Sequence, residues 1–279
     1  MDDLLNTICP LEKMGKGIKN IRHRFFHSIE TEIQAYLLGF IAADGSIDEK
    51  RNALSIHVSA KDIEIPQLFQ KWVSPESSIE SYVGNTFNSR GKTYTSKDSV
   101  RINITSKQLI SDLKNLGITQ AKTWRELHIP NIDESLIKHF IRGYFDGDGC
   151  FSMSVRKPNA KNREKNYRVS AQVEIYCKRD EILKDVRAFI LKELGVEMRI
   201  YYIDRDDMFK IRTSKSDDIK SLFSYIYDGS VYLNRKFSKF SYYVNTEVSQ
   251  LIADHRNAQE VNVNESNNPP TSAEHSIKE

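Results

Sequence analysis

Apolar and polar positions along the chain predict one order of helices and strands that occurs twice. Each copy begins with a mostly apolar helix and continues with two strands, a helix, two strands and a third helix. Strand spacing is clearest where Leu54, Ile56 and Val58 alternate with polar side chains. In the first copy this pattern predicts helices at 31–43, 63–73 and 106–116, strands at 46–48, 53–59, 79–83 and 100–105, and a polar loop at 84–99.

The second copy repeats the order after Asp133, a residue type that caps the first turn of helices well. We therefore predict an α+β fold of two α-β-β-α-β-β-α half-domains related by a pseudo-twofold axis, each with a four-stranded antiparallel sheet. The second copy is predicted to have helices at 133–147, 180–194 and 217–227 and strands at 150–155, 168–176, 196–203 and 208–213, followed by a helix at 233–244.

The half-domains are predicted at 28–130 and 131–245. The basic extension at 1–27 is open to two interpretations, a solvated arm or an arm that contacts phosphate groups. The polar tail at 246–279 is predicted to be disordered, because its composition offers little apolar surface to bury.

The first helix of each copy ends in a related motif. Residues 37–45 read Leu-Leu-Gly-Phe-Ile-Ala-Ala-Asp-Gly, and residues 141–149 read Ile-Arg-Gly-Tyr-Phe-Asp-Gly-Asp-Gly. Small residues four positions apart share one face of a helix and allow two backbones to approach closely. We expect the two helices to pack against each other through these small residues, which are Gly39, Ala43, Gly143 and Gly147.

Such packing would bring Asp44 and Asp148 together at the carboxyl ends of the two helices. The arrangement is unfavourable for bare carboxylates, because like charges repel and each lies at the negative end of a helix dipole. A divalent cation would offset both effects, and Mg²⁺ accepts one or two carboxylates together with phosphate oxygens. Asp146 corresponds to Ala42 in the first copy, so we do not expect it to share a catalytic role.

Composition limits the classes of protein that the chain can represent. Hydrophobic residues make up 39% of its 279 residues, and no apolar stretch approaches the ~18 residues of a membrane span. Three scattered cysteines favour a reducing compartment and no zinc site, so we expect an intracellular protein, in a bacterial or phage cytoplasm or an organelle, and not a secreted one. The net charge is +3 although the tail is acidic, so the remaining chain is basic enough for nucleic acid.

On the two motifs and the repeated order of elements, the chain resembles single-chain LAGLIDADG homing endonucleases. The resemblance implies a monomeric, site-specific double-strand DNA endonuclease whose sheets form saddles over the major groove of a long asymmetric target. It implies that Asp44 and Asp148 are the catalytic metal ligands and that the main-chain carbonyls of Ala43 and Gly147 complete the metal shell. Two or more Mg²⁺ ions are implied, for which Mn²⁺ is expected to substitute, and the products would carry short 3′ overhangs.

The family also has a basic residue near each scissile phosphate, which corresponds here to Lys122 and Lys236. Lys61 and Lys178 are further candidates, and each lysine is equally open to interpretation as a solvated surface charge. Ala60 and Cys177 stand where the family often has polar side chains that organise water.

Strand alternation predicts which side chains would meet DNA, since one face of each sheet is polar. The alternative is an ordinary solvated sheet face. The two halves differ at nearly every such position, which predicts an asymmetric target. The predicted contacts are Ser55, His57, Ser59, Arg101 and Asn103 in the first half and Gln172, Glu174, Tyr176, Lys210 and Arg212 in the second.

Two other functions fit the same fold. One is a maturase that binds intron RNA, which would not need both aspartates. The other is a catalytically inactive DNA-binding regulator, which usually carries an added binding domain that the polar tail is too short to form. An intein is disfavoured because the splicing residues are missing, and neither a His-Asn-His arrangement nor a phosphate-binding loop occurs.

Overall fold

A computed structural model describes residues 6–7, 9–12, 20–89, 91–121, 125–159 and 166–267. The predicted order of elements is confirmed in both halves. The first half contains α1 (Glu32–Asp44), β1 (Ser46–Asp48), β2 (Ala53–Ser59), α2 (Glu64–Trp72), β3 (Ile79–Tyr82), β4 (Thr86–Ser89), β5 (Lys92–Thr95), β6 (Ser99–Thr105) and α3 (Lys107–Asn115).

The second half repeats the order and adds two helices after it. It contains α4 (Glu134–Asp148), β7 (Gly149–Arg156), β8 (Arg168–Cys177), α5 (Glu181–Leu194), β9 (Arg199–Ile203), β10 (Met208–Thr213) and α6 (Ser216–Ile226), followed by α7 (Asn234–Asn245) and α8 (Val248–Asn267). None of the helices that the structure describes has the length and apolar character needed to cross a bilayer.

Each half builds one four-stranded antiparallel sheet, as predicted. The strand orders are β1-β2-β6-β3 and β7-β8-β10-β9, so the two sheets have the same topology. Apolar side chains of one face, such as Leu54, Ile56 and Ile102 in the first sheet, are buried in the core, and the polar residues between them lie on the opposite face. The alternation in the sequence therefore determined which side of each sheet faces the core.

The two motif helices start where the sequence predicts. The side chain of Thr31 accepts a hydrogen bond from the Gln34 backbone, and the Gln34 side chain accepts one from the Thr31 backbone, which forms a capping box for α1. The carboxylate of Asp133 accepts the Ser135 amide at 2.9 Å and so caps α4. These caps satisfy amides that have no partner within the helix.

The N-terminal segment differs from the prediction of an arm. Phe25 and Phe26 are fully buried, and Arg22 is buried and donates to the backbone carbonyl of Trp72 at 2.9 Å. His23 shares a 2.7 Å hydrogen bond with the Ser106 hydroxyl. Residues 20–27 therefore pack into the first half rather than forming a solvated arm, and whether the exposed Arg24 contacts phosphate stays a prediction. The basic positions 13, 16 and 19 lie outside the described residues.

Two further segments also differ from the prediction. Within the predicted polar loop at 84–99, β4 and β5 form a hairpin in which Phe87 lies opposite Tyr94, and Gly91 adopts a positive φ of 73° near its turn. The predicted disordered tail contains α8, whose Leu251 is 2% exposed, so disorder is wrong for its residues. The last residues of the chain, from 268 onward, lie outside the described part.

A buried ion pair joins the two motif helices. Arg142 on α4 is fully buried, and its Nη2 donates to the Glu32 carboxylate of α1 at 2.8 Å. Its Nη1 donates to Nδ1 of His139 at 2.8 Å, which assigns the ring proton to Nε2 because a guanidinium has no acceptor. Burial and the Arg142 charge lower the pKa of His139 to about 4, so the ring is neutral.

Replacing Glu32 with alanine is expected to lower the free energy of unfolding by about 3–5 kcal/mol, because the Arg142 charge would remain buried without its partner. Urea unfolding measures the change. Glu197→Ala is the matched control, since Glu197 pairs with Arg187 at 3.5 Å through a carboxylate side chain that is 65% exposed. We expect a change below about 1 kcal/mol for the control. Equal effects of the two substitutions would contradict the role assigned to Glu32.

Candidate metal centre and sheet faces

Helices α1 and α4 pack backbone against backbone at their small residues. A Cβ atom added to Gly39 would lie 2.0 Å from the carbonyl oxygen of Phe140, and one added to Gly143 would lie 2.0 Å from that of Tyr36. Any side chain at either position would overlap the facing helix. The seam predicted from the spacing of small residues is therefore present.

At the carboxyl end of this seam, the first aspartate lies against the second motif. A Cβ atom added to Gly147 would lie 2.3 Å from the Ala43 Cβ and 3.4 Å from Oδ2 of Asp44. Asp148 follows Gly147 directly and ends α4, as Asp44 ends α1. Asp44 is exposed and Asp148 is partly exposed, so the site is open to a large ligand. The four predicted residues of the centre, Ala43, Asp44, Gly147 and Asp148, therefore lie together.

The chemistry of this centre suits a hard divalent cation. The described part of the chain contains no cluster of three or more His, Cys, Asp or Glu side chains that could hold a metal ion. Two carboxylates with neighbouring carbonyls form an incomplete shell, which Mg²⁺ tolerates because it retains waters and binds substrate phosphates. The residues present therefore fit Mg²⁺, provided that the substrate supplies further oxygen ligands.

Lys236 from α7 reaches this centre. Its Nζ donates to the backbone carbonyls of Phe145, Gly147 and Gly149 at 2.9, 2.8 and 2.7 Å. Burial lowers the pKa of the ammonium, whereas nearby carboxylates, including Asp44 and Asp148, act to raise it. Lys236 thus neutralises the carboxyl end of α4 and contacts the Gly147 carbonyl that the family resemblance assigns to the metal.

Asp146 has a different environment from the two terminal aspartates. It is 2% exposed, and it accepts hydrogen bonds from Tyr36 Oη at 2.9 Å, Tyr227 Oη at 2.8 Å and the Leu233 amide at 2.7 Å. Burial raises its pKa from the ordinary value of 3.8 to about 6, although these three donors act to lower it. Through these hydrogen bonds the carboxylate joins α1, the end of α6 and the start of α7. This environment indicates a structural role for Asp146 rather than metal binding.

The raised pKa of Asp146 predicts a pH dependence of stability. Between about pH 4 and 6 the folded state binds this proton more tightly than the unfolded chain, so the stability contributed by Asp146 falls as the pH rises. The unfolding free energy relative to Asp146→Asn is therefore expected to decrease by about 2–3 kcal/mol across this range. Urea unfolding at several pH values measures it, with Asp180→Asn as the control, and parallel pH profiles for the unmodified chain and Asp146→Asn would contradict it.

The first turn of α7 also binds the first half. Arg235 forms a bidentate ion pair with Asp62, with distances of 2.8 and 2.9 Å. The Asn234 amide donates to the Glu64 carboxylate at 2.7 Å. These contacts cross between the halves and fix the start of the helix that carries Lys236. No local sequence pattern indicates these contacts, because the partners are more than 160 residues apart.

The outward face of the first sheet carries the predicted polar residues in register. Ser55 lies opposite Asn103, and His57 lies opposite Arg101. His57 Nε2 shares a 2.9 Å hydrogen bond with the hydroxyl of Ser99, a face residue that the sequence analysis omitted. Ser59 ends β2, and Lys61 is exposed in the 3-10 turn that follows.

The outward face of the second sheet centres on Glu174. Its carboxylate is buried and accepts hydrogen bonds from Lys210 Nζ at 2.6 Å, Tyr176 Oη at 2.7 Å and, more weakly, Gln172 Nε2 at 3.4 Å. We therefore expect the three donors, rather than Glu174 itself, to be available to a ligand. Arg212 lies opposite Glu174 on β10.

The remaining predicted lysines are Lys178 and Lys122. Lys178 is held at the β9–β10 turn, where its Nζ donates to the carbonyls of Asp206 and Asp207 at 2.9 and 2.8 Å. These two hydrogen bonds hold the Lys178 side chain against the backbone of that turn. Lys122 lies outside the described residues, so its assignment stays a prediction.

Comparison with known proteins supports this architecture. The model of the LAGLIDADG-like domain matches residues 135–227, which run from α4 to the end of α6. No curated protein matches the chain.

Two solved structures are similar to most of the chain. I-SmaMI bound to an uncleaved DNA target in the presence of calcium ions is 14% identical, with a TM-score of 0.51, and the match covers 82% of this chain and 93% of that one. The LAGLIDADG homing endonuclease I-LtrWI bound to target DNA is 13% identical, with a TM-score of 0.50, covering 81% and 91%. The chain therefore has the duplicated fold of these LAGLIDADG structures, and its residues 135–227 match the model of the LAGLIDADG-like domain.

Proposed function

We propose that the chain is a site-specific DNA endonuclease that hydrolyses one phosphodiester on each strand of a long asymmetric target. The observation that carries the proposal is the close approach of Asp44 to Gly147, directly before Asp148, at the end of the helix seam. Two carboxylates held together at the negative ends of two helices are costly in isolation. They become favourable when cations and phosphates complete the site, as they do in phosphodiester hydrolysis.

The proposed substrate is double-stranded DNA, bound through the two polar sheet faces. The similarity to I-SmaMI and I-LtrWI, both solved with DNA, supports this substrate. The first face presents Ser55, His57 and Asn103, and the second presents Gln172, Tyr176 and Lys210. Because these sets differ, we propose a target without twofold sequence symmetry. Since both motifs belong to one chain, we propose that it acts as a monomer.

Mg²⁺ is the proposed cofactor, with Mn²⁺ as a substitute. When bound, the metal supplies a Lewis acid for the phosphate and lowers the pKa of a water. The protein residues have separate tasks. Asp44 and Asp148 are proposed to supply carboxylate ligands, and the Ala43 and Gly147 carbonyls to complete the shell, the Gly147 carbonyl while it also accepts a hydrogen bond from Lys236 at 2.8 Å. Lys236 counters the negative charge beside them.

Replacing Lys236 with methionine is expected to lower the cleavage rate about 10²-fold or more while changing DNA affinity little. The substitution removes a positive charge beside the paired aspartates, where we propose that the reacting phosphate binds, and leaves three carbonyls without their donor. Single-turnover cleavage and equilibrium binding separate the two effects. Lys239→Met is the matched control, since Lys239 lies on the same helix and is exposed. Equal rates for both variants would remove Lys236 from the site.

A selection for bound DNA tests the proposal. The chain is incubated with a randomised duplex library in Ca²⁺, the ion present with uncleaved target in the I-SmaMI structure. We expect one long asymmetric sequence to be enriched, with an affinity that falls steeply as salt increases. A structured intron RNA is tested in parallel. Tight binding to that RNA without any enriched duplex would favour a maturase and contradict the proposal.

A further inference from the structure

Two backbone amides at the start of α7 donate to carboxylates from different halves of the protein. The Leu233 amide donates to Asp146 of the second half, and the Asn234 amide donates to Glu64 of the first half, both at 2.7 Å. The first amides of a helix have no partner within it, and negative charge is favourable there. The start of α7 is therefore fixed against both halves.

The next residue of α7 forms an ion pair with the first half. Nε and Nη2 of Arg235 donate to the two carboxylate oxygens of Asp62 at 2.8 and 2.9 Å. Such a bidentate pair fixes the direction of the guanidinium as well as its distance. Arg235 therefore sets where α7 lies relative to the first half, and Lys236 is the residue that follows it.

The Asp62 side chain has a firm connection to the first sheet. Asp62 lies in the 3-10 turn Ala60–Asp62, which directly follows β2. The Ala60 amide donates to the carbonyl of Asp98 at 2.9 Å, and Asp98 directly precedes β6. The turn is thus joined to two neighbouring strands, so Asp62 keeps a fixed place relative to the sheet that we propose binds DNA.

The position of Lys236 depends on both ends of its side chain. Its Nζ donates to three carbonyls of the second half, which is the full number of N–H donors of an ammonium group. Its backbone belongs to the turn of α7 that the first half holds through Asp62 and Glu64. Because hydrogen bonds weaken steeply with distance and angle, a shift of this turn would pull the ammonium group away from its carbonyls.

We propose that Asp62 and Arg235 are positioning residues that hold Lys236 beside the paired aspartates. In this role the first half of the chain helps to place a charge that acts at the second motif. Neither residue of the ion pair has to touch DNA. The inference rests on the proposed function, because it assigns the pair a task in the cleavage step.

Stability of the contact between the two halves is the alternative role for this ion pair. The halves are already joined by the α1–α4 seam and by the buried pair of Glu32 with Arg142. The Arg235 side chain is 53% exposed, and ion pairs open to solvent contribute little to stability. The geometry therefore favours placement of α7 over general stabilisation as the role of the pair.

Single-turnover cleavage by variants of the full chain, on the target selected in Ca²⁺, tests the proposal. Asp62→Asn and Arg235→Gln each break the ion pair and are expected to lower the cleavage rate about ten- to a hundredfold, because a shift of about 1 Å is enough for such a loss. DNA affinity is expected to change little. If Asp62→Asn does not fold, Arg235→Gln still tests the proposal, since its side chain is half exposed.

The matched control is Asp185→Asn. The Asp185 carboxylate joins α5 to a distant segment, through His128 Nδ1 at 2.8 Å and the Ile129 amide at 3.1 Å, and it has no hydrogen bond to α7 among the described residues. The cleavage rate and affinity of this variant are expected to match those of the unmodified chain. Thermal melting confirms that each variant is folded.

A double variant separates positioning from a general structural effect. In Lys236→Met the group that Asp62 positions is absent, so adding Asp62→Asn is expected to lower the cleavage rate by less than about twofold more. If Asp62 acted independently of Lys236, the two losses would multiply.

The outcomes distinguish this inference from the function on which it rests. Equal losses in Asp62→Asn and Arg235→Gln that disappear in the Lys236→Met background support both. A chain that cuts its target while Asp62→Asn cuts equally fast, or while the losses multiply, overturns the positioning role but leaves the endonuclease. Much slower cleavage by Arg235→Gln than by Asp62→Asn would indicate that Arg235 itself contacts DNA, and it also overturns the role. A chain that cuts no duplex overturns both.

Discussion

Asp44→Asn and Asp148→Asn are each expected to abolish double-strand cleavage while leaving DNA binding intact. Asparagine keeps the size of the side chain but removes the charge that would hold a divalent cation. We expect the cleavage rate to fall by at least ~10³-fold, which corresponds to about 4 kcal/mol of transition-state stabilisation. Binding is expected to persist or tighten in Ca²⁺-free buffer, because each substitution removes a negative charge near phosphates.

The control for these two variants is Asp180→Asn. Asp180 forms a surface ion pair with Lys184 at 2.8 Å at the start of α5 and is not part of the paired site. Its cleavage rate is expected to match that of the unmodified chain. Single-turnover cleavage of the selected target, with binding followed by anisotropy, measures both quantities. Full double-strand activity in either variant would remove that aspartate from the metal centre.

Gly39→Ala and Gly143→Ala are expected to lower the free energy of unfolding by about 2–4 kcal/mol each. Alanine would ordinarily stabilise a helix by about 1 kcal/mol relative to glycine. Here the added Cβ would lie 2.0 Å from a backbone carbonyl oxygen of the facing helix, so the helices would have to separate. The steric cost should outweigh the gain in helix propensity, and urea unfolding measures the balance.

Gly195→Ala is the matched control for the seam. Gly195 ends α5 with a φ of +65°, and no heavy atom lies within 4 Å of a Cβ added there. The substitution is expected to cost about 1–2 kcal/mol from the backbone conformation alone. If the seam variants were no less stable than this control, the close packing of α1 and α4 would be wrong.

Local signals in the sequence predicted much of the fold. Thr31 and Asp133 mark the starts of the motif helices, and alternation at Leu54 and Ile56 identifies the buried side of a sheet. These features depend on neighbours within a few residues. The seam could also be predicted, because the spacing of small residues records how closely a second helix must approach.

Features that depend on distant partners could not be predicted. Phe25 and Phe26 sit among basic residues but are buried, and the segment that contains them is held by contacts with residues 50 or more positions away, such as that of Arg22 with Trp72. Helix α8 is polar in sequence, but its Leu251 is buried and the helix packs near β7 and β8 of the second sheet. Composition therefore indicated disorder at a place where tertiary contacts form a helix.

The candidate site was predicted unevenly for the same reason. The paired motifs located Asp44 and Asp148, but the three carbonyl partners of Lys236 follow only from the fold. Ser99 could have been found, because it lies two residues before Arg101 and the alternation that predicted Arg101 and Asn103 places all three on one face of β6.

The most direct test of the central claim is cleavage of the selected target with Mg²⁺ by the unmodified chain and by the Asp44→Asn/Asp148→Asn double variant. Products are mapped on both strands, and Mn²⁺ is tested in parallel. We predict one cut on each strand near the centre of the target, made only by the chain with both aspartates. A target that is bound tightly but stays intact in both metals, or that the double variant cuts equally well, would contradict it.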